Sequence, residues 1–169
     1  HYTAAQQPDK AAAALFKAGQ HAFGLGAFEE AQRCFQQALA ALEQAPQAAV
    51  SKAELFEALG DVALELDQQE AAHTWFQTAL REQLDPPRRG MLYFKLSRSL
   101  ASIEPQRKWD LTQQGLRETA AVPHCLERAR ILIVLIRSPN PEVSTKAERM
   151  AQAVRWGAEA LRILRRHQQ

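Results

Sequence analysis

The residues of this chain that could carry chemistry are few and scattered. His1, His21, His73, His124 and His167 stand far apart, and no His-x3-His or Cys-x2-Cys spacing occurs. Metal ligation needs such side chains clustered at ligand spacing, so no metal site is assigned. The one adjacent pair is His124-Cys125. A base beside a thiol is the start of a nucleophile, but the same pair suits a helix start followed by a packed cysteine, and that reading is adopted. Gly24-x-Gly26 follows a helical pattern rather than a strand, and no Gly-Lys-Ser/Thr comes after it, so it does not read as a phosphate-cradling loop. The paired carboxylates Glu29-Glu30 fall in the first turn of a predicted helix, where acids oppose the helix dipole. No catalytic residue and no cofactor is assigned, and the chain is expected not to be an enzyme.

What, then, do the elements around these residues hold in place? Apolar residues make up 46% of the chain and charged residues 24%, an ordinary globular balance that argues against disorder. The longest strongly apolar run, Ile131 to Ile136, is far too short to cross a bilayer, and no secretory signal is recognised at the start. A cytoplasmic location is expected, with Cys34 and Cys125 as separate buried thiols. The start at His1 rather than Met suggests a part excised from a larger protein. Charge is divided unevenly: residues 1–85 hold 5 Lys/Arg against 12 Asp/Glu, and residues 86–169 hold 16 against 7. An acidic half is thus followed by a basic half, which bears on partners.

The organising signal is an echo. In GAFEEAQRCFQQAL, Phe28, Ala31, Phe35, Ala38 and Leu39 recur at steps of three and four, one face of a helix. In DQQEAAHTWFQTAL, Ala72, Phe76, Ala79 and Leu80 occupy the matching places. Leu15, Gly19 and Ala22 lead the first stretch, and Phe56, Leu59, Gly60 and Ala63 lead the second. A small residue at Gly19 or Gly60 lets a neighbouring helix approach, and the Ala/Phe alternation fills the groove between the pair.

These residues resemble the tetratricopeptide repeat family, with its small residue, turn glycine, aromatic and Ala-x3-Phe-x2-Ala. Gly19, Gly26, Phe28, Ala31, Phe35 and Ala38 follow that pattern; Gly60, Ala72, Phe76 and Ala79 follow it with Asp67 and Gln69 in place of the turn glycine and its aromatic. The register from Gly19 to Gly60 is 41 residues, longer than the family's roughly 34, with the excess in Glu43 to Lys52. Clear repeats are read at 12–45 and 53–86, and degenerate helix pairs at 88–120 and 123–167. In the third pair Leu92, Leu96 and Leu100 point inward against Trp109, Leu111 and Leu116. Ser51-x-x-Glu54 and Thr145-x-x-Glu148 read as capping boxes, Asp85-Pro86-Pro87 as a helix stop, Pro123 as a helix start and Pro139-Asn140-Pro141 as a loop. The expected fold is all-α: one domain over 1–169, a right-handed α-solenoid of about four antiparallel helix pairs.

The resemblance implies a protein–protein interaction module that binds a peptide or partner helix on its concave surface, as a regulatory or scaffolding part of a larger protein. Transferred by register, the first helices present Phe16, Gln20 and Phe23, then Glu54, Glu57, Asp61, Leu64 and Glu65, then Phe94, Lys95 and Arg98. The family's clamp for C-terminal carboxylates needs Lys and Asn, where Phe16, Gln20 and Ala58 stand, so that activity is not expected. Glu54, Glu57, Asp61 and Glu65 instead form an acidic stripe on one helical face.

In the last helix, Ala147, Met150, Ala151, Val154, Ala158 and Leu161 make a continuous apolar face, expected to pack on the preceding helices. Trp156 and Ile163 make a second ridge beside Arg149, Arg155 and Arg162, read either as core turned inward or as a C-terminal interface, for a further repeat or for self-association with another copy. The alternative function is nucleic-acid binding through the basic half, with Trp156 stacking on bases.

Overall fold

The computed structural model describes residues 8–44, 50–100, 104–137 and 140–168. His1, residues 45–49 of the lengthened connector and Pro139 lie outside them. Among the described residues there are eight α-helices and no strand: α1 (Pro8–Gly24), α2 (Phe28–Gln44), α3 (Lys52–Glu65), α4 (Gln69–Ala79), α5 (Pro86–Arg98), α6 (Pro105–Glu118), α7 (Leu126–Arg137) and α8 (Lys146–Arg166). A 3-10 turn, Thr119–Ala121, follows α6. Backbone contacts divide the chain into two compact units, His1–Gln83 and Leu84–Gln169, each holding two helix pairs.

In the first unit both pairs close by the same device. A methyl group on Gly19 would lie 2.5 Å from Cε1 of Phe35, and one on Gly60 would lie 2.4 Å from Cε1 of Phe76. Each phenyl ring therefore occupies the space that any larger residue would take, and both rings are buried with Ala31, Ala38, Ala72 and Ala79. The turns repeat as well. Gly26 has φ +76° and Asp67, in the place of the turn glycine, has φ +57°. Left-handed backbone is tolerated by Asp because a short polar side chain can bond locally; here Asp67 Oδ1 accepts from Gln69 Nε2 at 3.2 Å. After both residues the chain closes identically, Ala27 N–H donating to Ala22 O at 2.9 Å and Gln68 N–H to Ala63 O at 2.8 Å. These bonds satisfy carbonyls that a helix end would otherwise leave unpaired.

The helix α3 begins at a full capping box. Glu54 N–H donates to Ser51 Oγ and Ser51 N–H to Glu54 Oε2, each at 3.1 Å. It packs on α4, on α2 and on α1, so Leu55, Leu59 and Val62 are fully buried.

The second unit starts with a correction. Asp85-Pro86-Pro87 does not stop α4, which ends at Ala79, but opens α5. Asp85 Oδ1 accepts from Arg88 N–H at 2.9 Å, and the prolines fill the first turn, where their missing N–H groups leave no bond unmade. The pair α5–α6 crosses at Gly90 and Gly115, backbone to backbone: a Cβ on Gly115 would lie 2.5 Å from Gly90 O. Beside the crossing, Thr112 Oγ1 donates to Ser97 Oγ at 3.1 Å in a buried contact. The leucines at 92, 96 and 100 are buried, as their spacing implied. Helix α7 packs on both α5 and α6, and α8 packs on α7.

The orientation of α8 is the larger correction. Ala147, Met150, Ala151, Val154, Ala158 and Leu161 are exposed, while Ala160 and Ile163 are buried and Trp156 packs beside them. Both sides of α8 carry apolar residues at helical spacing, so periodicity alone does not choose between them. Size does. Turning Trp156, Ile163 and Leu164 inward removes more apolar area from water than burying a set half made of alanines. The Trp156 ring lies 6.0 Å from that of Trp109. Arg128 on α7 adds a lock: Nε donates to Glu159 Oε1 at 2.6 Å, and Nη1 to Leu116 O at 2.9 Å. Thr145 caps α8 by accepting from Glu148 N–H at 3.2 Å, while its hydroxyl donates to the Glu148 carboxylate, so only half of the expected box forms.

The clasp makes a thermodynamic prediction. Phe76→Ala should cost about 3–5 kcal/mol. Gly60→Ala should cost about 1–3 kcal/mol by overpacking. In the Phe76→Ala background the same glycine change should reverse sign and stabilise, because the ring is gone and alanine is the better helix former. Urea unfolding of the four proteins in the cycle checks this, and additive costs would show that the two residues do not touch.

Candidate partner-binding faces

The first unit brings the expected residues of α1 and α3 onto adjoining helices, in different states of exposure. On α1, Gln20 is exposed, whereas Phe16 and Phe23 are half-buried. Their rings serve the core: Phe16 lies 5.6 Å from Phe35 and Phe23 lies 5.5 Å from Phe28. On α3, Glu57, Asp61 and Leu64 are half-buried and Glu65 is exposed. Glu54 is on the same side but is spent at the capping box. Glu57 and Asp61 also engage neighbours within the chain. The acidic stripe is therefore one side of one helix, held in place rather than loosely solvated.

The α5 residues behave differently. Phe94 is buried with Trp109, Ile131 and Leu135, because α7 covers that side of α5, and it is not available to a partner. Lys95 is half-buried and engaged, and Arg98 is exposed. The expected C-terminal interface is likewise internal: Ile163 is buried, and Trp156 packs against Trp109. Trp156 itself is half-buried.

The orientation of α8 exposes a surface that was read from the sequence as core. Met150, Val154 and Leu161 are 59%, 65% and 55% exposed. Four and seven residues apart, they run along one side of the helix, with Ala147, Ala151 and Ala158 next to them. Arg155, Arg162 and Arg166 follow the alanine edge, and Arg165 sits at the end of the stripe. All four arginines are exposed. Among the described residues none of the four has an acidic partner. A shallow depression is lined by Ala158, Leu161, Arg162, Arg165 and Arg166.

The thiols are inert rather than poised. Burial pushes the Cys34 thiol up, and the Glu30 carboxylate adds to this; Cys34 Sγ donates to Glu30 Oε1 at 3.7 Å. Burial also pushes up Cys125, against a backbone bond from Arg128 that lowers it. A nucleophilic cysteine needs the opposite shift. Beside it, the His124 carbonyl meets His167 Nε2 at 2.7 Å. Among the described residues no group of His, Cys, Asp and Glu could hold a metal ion, and no helix is long and apolar enough to cross a membrane.

Comparison with protein-family models finds no match, and comparison with curated proteins finds none.

The raised thiols set a pH dependence. Both stay neutral in the folded chain above the ordinary thiol value of about 8.5, so their contribution to stability is complete below that value and is lost as pH rises through the folded pKa values. The urea midpoint should fall with rising alkalinity in the parent, and less steeply in Cys34→Ser/Cys125→Ser. Thiol reagents at pH 8 should label the native chain more slowly than the unfolded one. Equal labelling rates would contradict the burial of both groups.

Proposed function

We propose that this chain is a protein-interaction module built on tetratricopeptide-like helix pairs in a right-handed solenoid arrangement. On this reading the outward side of its first helices receives a peptide or partner helix. The observation that carries the reading is the way α3 stacks: it packs on both helices of the pair before it, so the first helices of successive pairs adjoin. In the second unit α7 packs on α5 and α6 by the same rule. In the first unit, repetition of one helix pair at a 41-residue register, both pairs closed by a phenyl ring on a glycine, is how helical arrays build an extended binding surface.

The ligand class follows from charge. Gln20, Glu57, Asp61 and Glu65 lie on the α1/α3 side, so a segment carrying Lys or Arg complements it. Phe16, Gln20 and Ala58 stand where a carboxylate clamp would need Lys and Asn, so a free C-terminus is not the recognised group. The module acts as a regulatory or scaffolding part of a larger cytoplasmic protein, without catalysis of its own.

Selection of random linear peptides displayed on phage against the intact chain tests this. The enriched peptides should be rich in Lys and Arg. Glu57→Lys/Asp61→Lys/Glu65→Lys should weaken a selected peptide about tenfold or more, as expected for reversed charge complementarity, with the helical circular dichroism retained. Peptides that ignore the triple reversal would place binding elsewhere.

A further inference from the structure

Met150, Val154 and Leu161 expose more than half of their surface on one side of α8, in a chain whose other large apolar residues are mostly internal. An apolar stripe bordered by polar groups marks an interaction surface. We propose that the outer side of α8 docks an acidic amphipathic helix from another protein. This surface lies in the second unit and does not depend on the α1/α3 reading.

Charge selects the occupant. Arg155, Arg162 and Arg166 follow one edge of the stripe at separations of seven and four residues, about 10 and 6 Å along the axis. With Arg165 they form a row of exposed guanidinium groups without acidic partners among the described residues. An antiparallel helix with acids at the matching separations of four and seven would pair with the row while its apolar residues met the stripe. Arginine suits that role, since its planar fork binds carboxylates in two-toothed fashion.

Shape separates a helix from a lipid surface. The large residues Met150, Val154 and Leu161 form a ridge, and Ala147, Ala151 and Ala158 form a shelf beside it. A ridge beside a shelf takes the side chains of a second helix in the manner of interlocking helical pairs. Membrane-seated helices bury Trp and Phe along with Leu, and this stripe has no aromatic residue. Charge also separates a foreign helix from a second α8. Two antiparallel copies would bring the C-terminal arginines of one stripe over the N-terminal half of the other, where the acid on that edge, Glu148, is already bonded to Thr145.

The test is a display library of helical peptides on an alanine-rich frame, with the seam fixed as leucine and the flanking positions randomised, selected on the intact chain. Enriched peptides should carry Asp or Glu along one edge of the seam. A selected peptide should bind about tenfold or more weakly to Arg155→Glu/Arg162→Glu/Arg166→Glu and to Met150→Ser/Val154→Ser/Leu161→Ser, and equally to Glu57→Lys/Asp61→Lys. Every substituted α8 residue is exposed, so the circular dichroism should match the parent; Leu161→Asp alone replaces the triple serine variant if that one misfolds. Three results would overturn the proposal: a selection with no acidic preference; sedimentation of the chain with phosphatidylcholine vesicles containing phosphatidylglycerol, lost in the serine variant; or self-association by light scattering, abolished by the same variant.

Discussion

A phenyl ring seated on a glycine, twice over, is the contact on which the first unit depends. The ring of Phe35 fills the place of a side chain at Gly19, and that of Phe76 does so at Gly60. Close approach of this kind fixes the distance between the helices of a pair, and the fully buried alanines at 31, 38, 72 and 79 then fit without voids. Once each pair is fixed, α3 meets α1 and α2 at a defined height, with Glu57 and Asp61 half-buried and Glu65 exposed. The second unit reaches the same end differently, with backbone against backbone at Gly90 and Gly115. In its last pair no such crossing exists: Gly157 has only Ile136 Cδ1 near it, at 3.7 Å. There the packing of Trp156, Ala160 and Ile163 and the bonds of Arg128 hold α8.

Function follows from what the packing leaves outside. Rigid pairs present whole helix sides, and the two sides exposed have opposite character. On α3 the side is acidic and its charges are partly engaged within the chain. On α8 it is apolar and bordered by exposed arginines that have no acidic partner among the described residues. One chain would thus offer a basic segment one site and an acidic helix another, a combination suited to a scaffold that brings two partners together.

The spacing of glycine, alanine and phenylalanine made the first two pairs legible, because each residue type there has a single packing purpose. Asp67 in the turn was legible only as a departure from the repeat; its left-handed backbone is a property of the folded turn. Asp85-Pro86-Pro87 was placed on the wrong side of a helix boundary, since the same residues end one element and cap the next. Phe94 read as a surface residue because the covering helix, α7, is remote in sequence and has no repeat signature. In α8 the failure was of a different kind. Two apolar sides compete, and the winner depends on the volume of Trp156 and on Arg128, a residue eighteen positions before α8 begins. Periodicity carries neither piece of information.

The most direct test of this account is the proton spectrum of the two clasp glycines. A glycine lying under an aromatic ring experiences its ring current. The account predicts that the α protons of Gly19 and Gly60 resonate far upfield of ordinary glycine. It also predicts nuclear Overhauser cross-peaks from Gly19 to the ring of Phe35 and from Gly60 to the ring of Phe76. Glycine α protons at their usual positions, with no cross-peak to either ring, would contradict the paired-helix register and everything built on it.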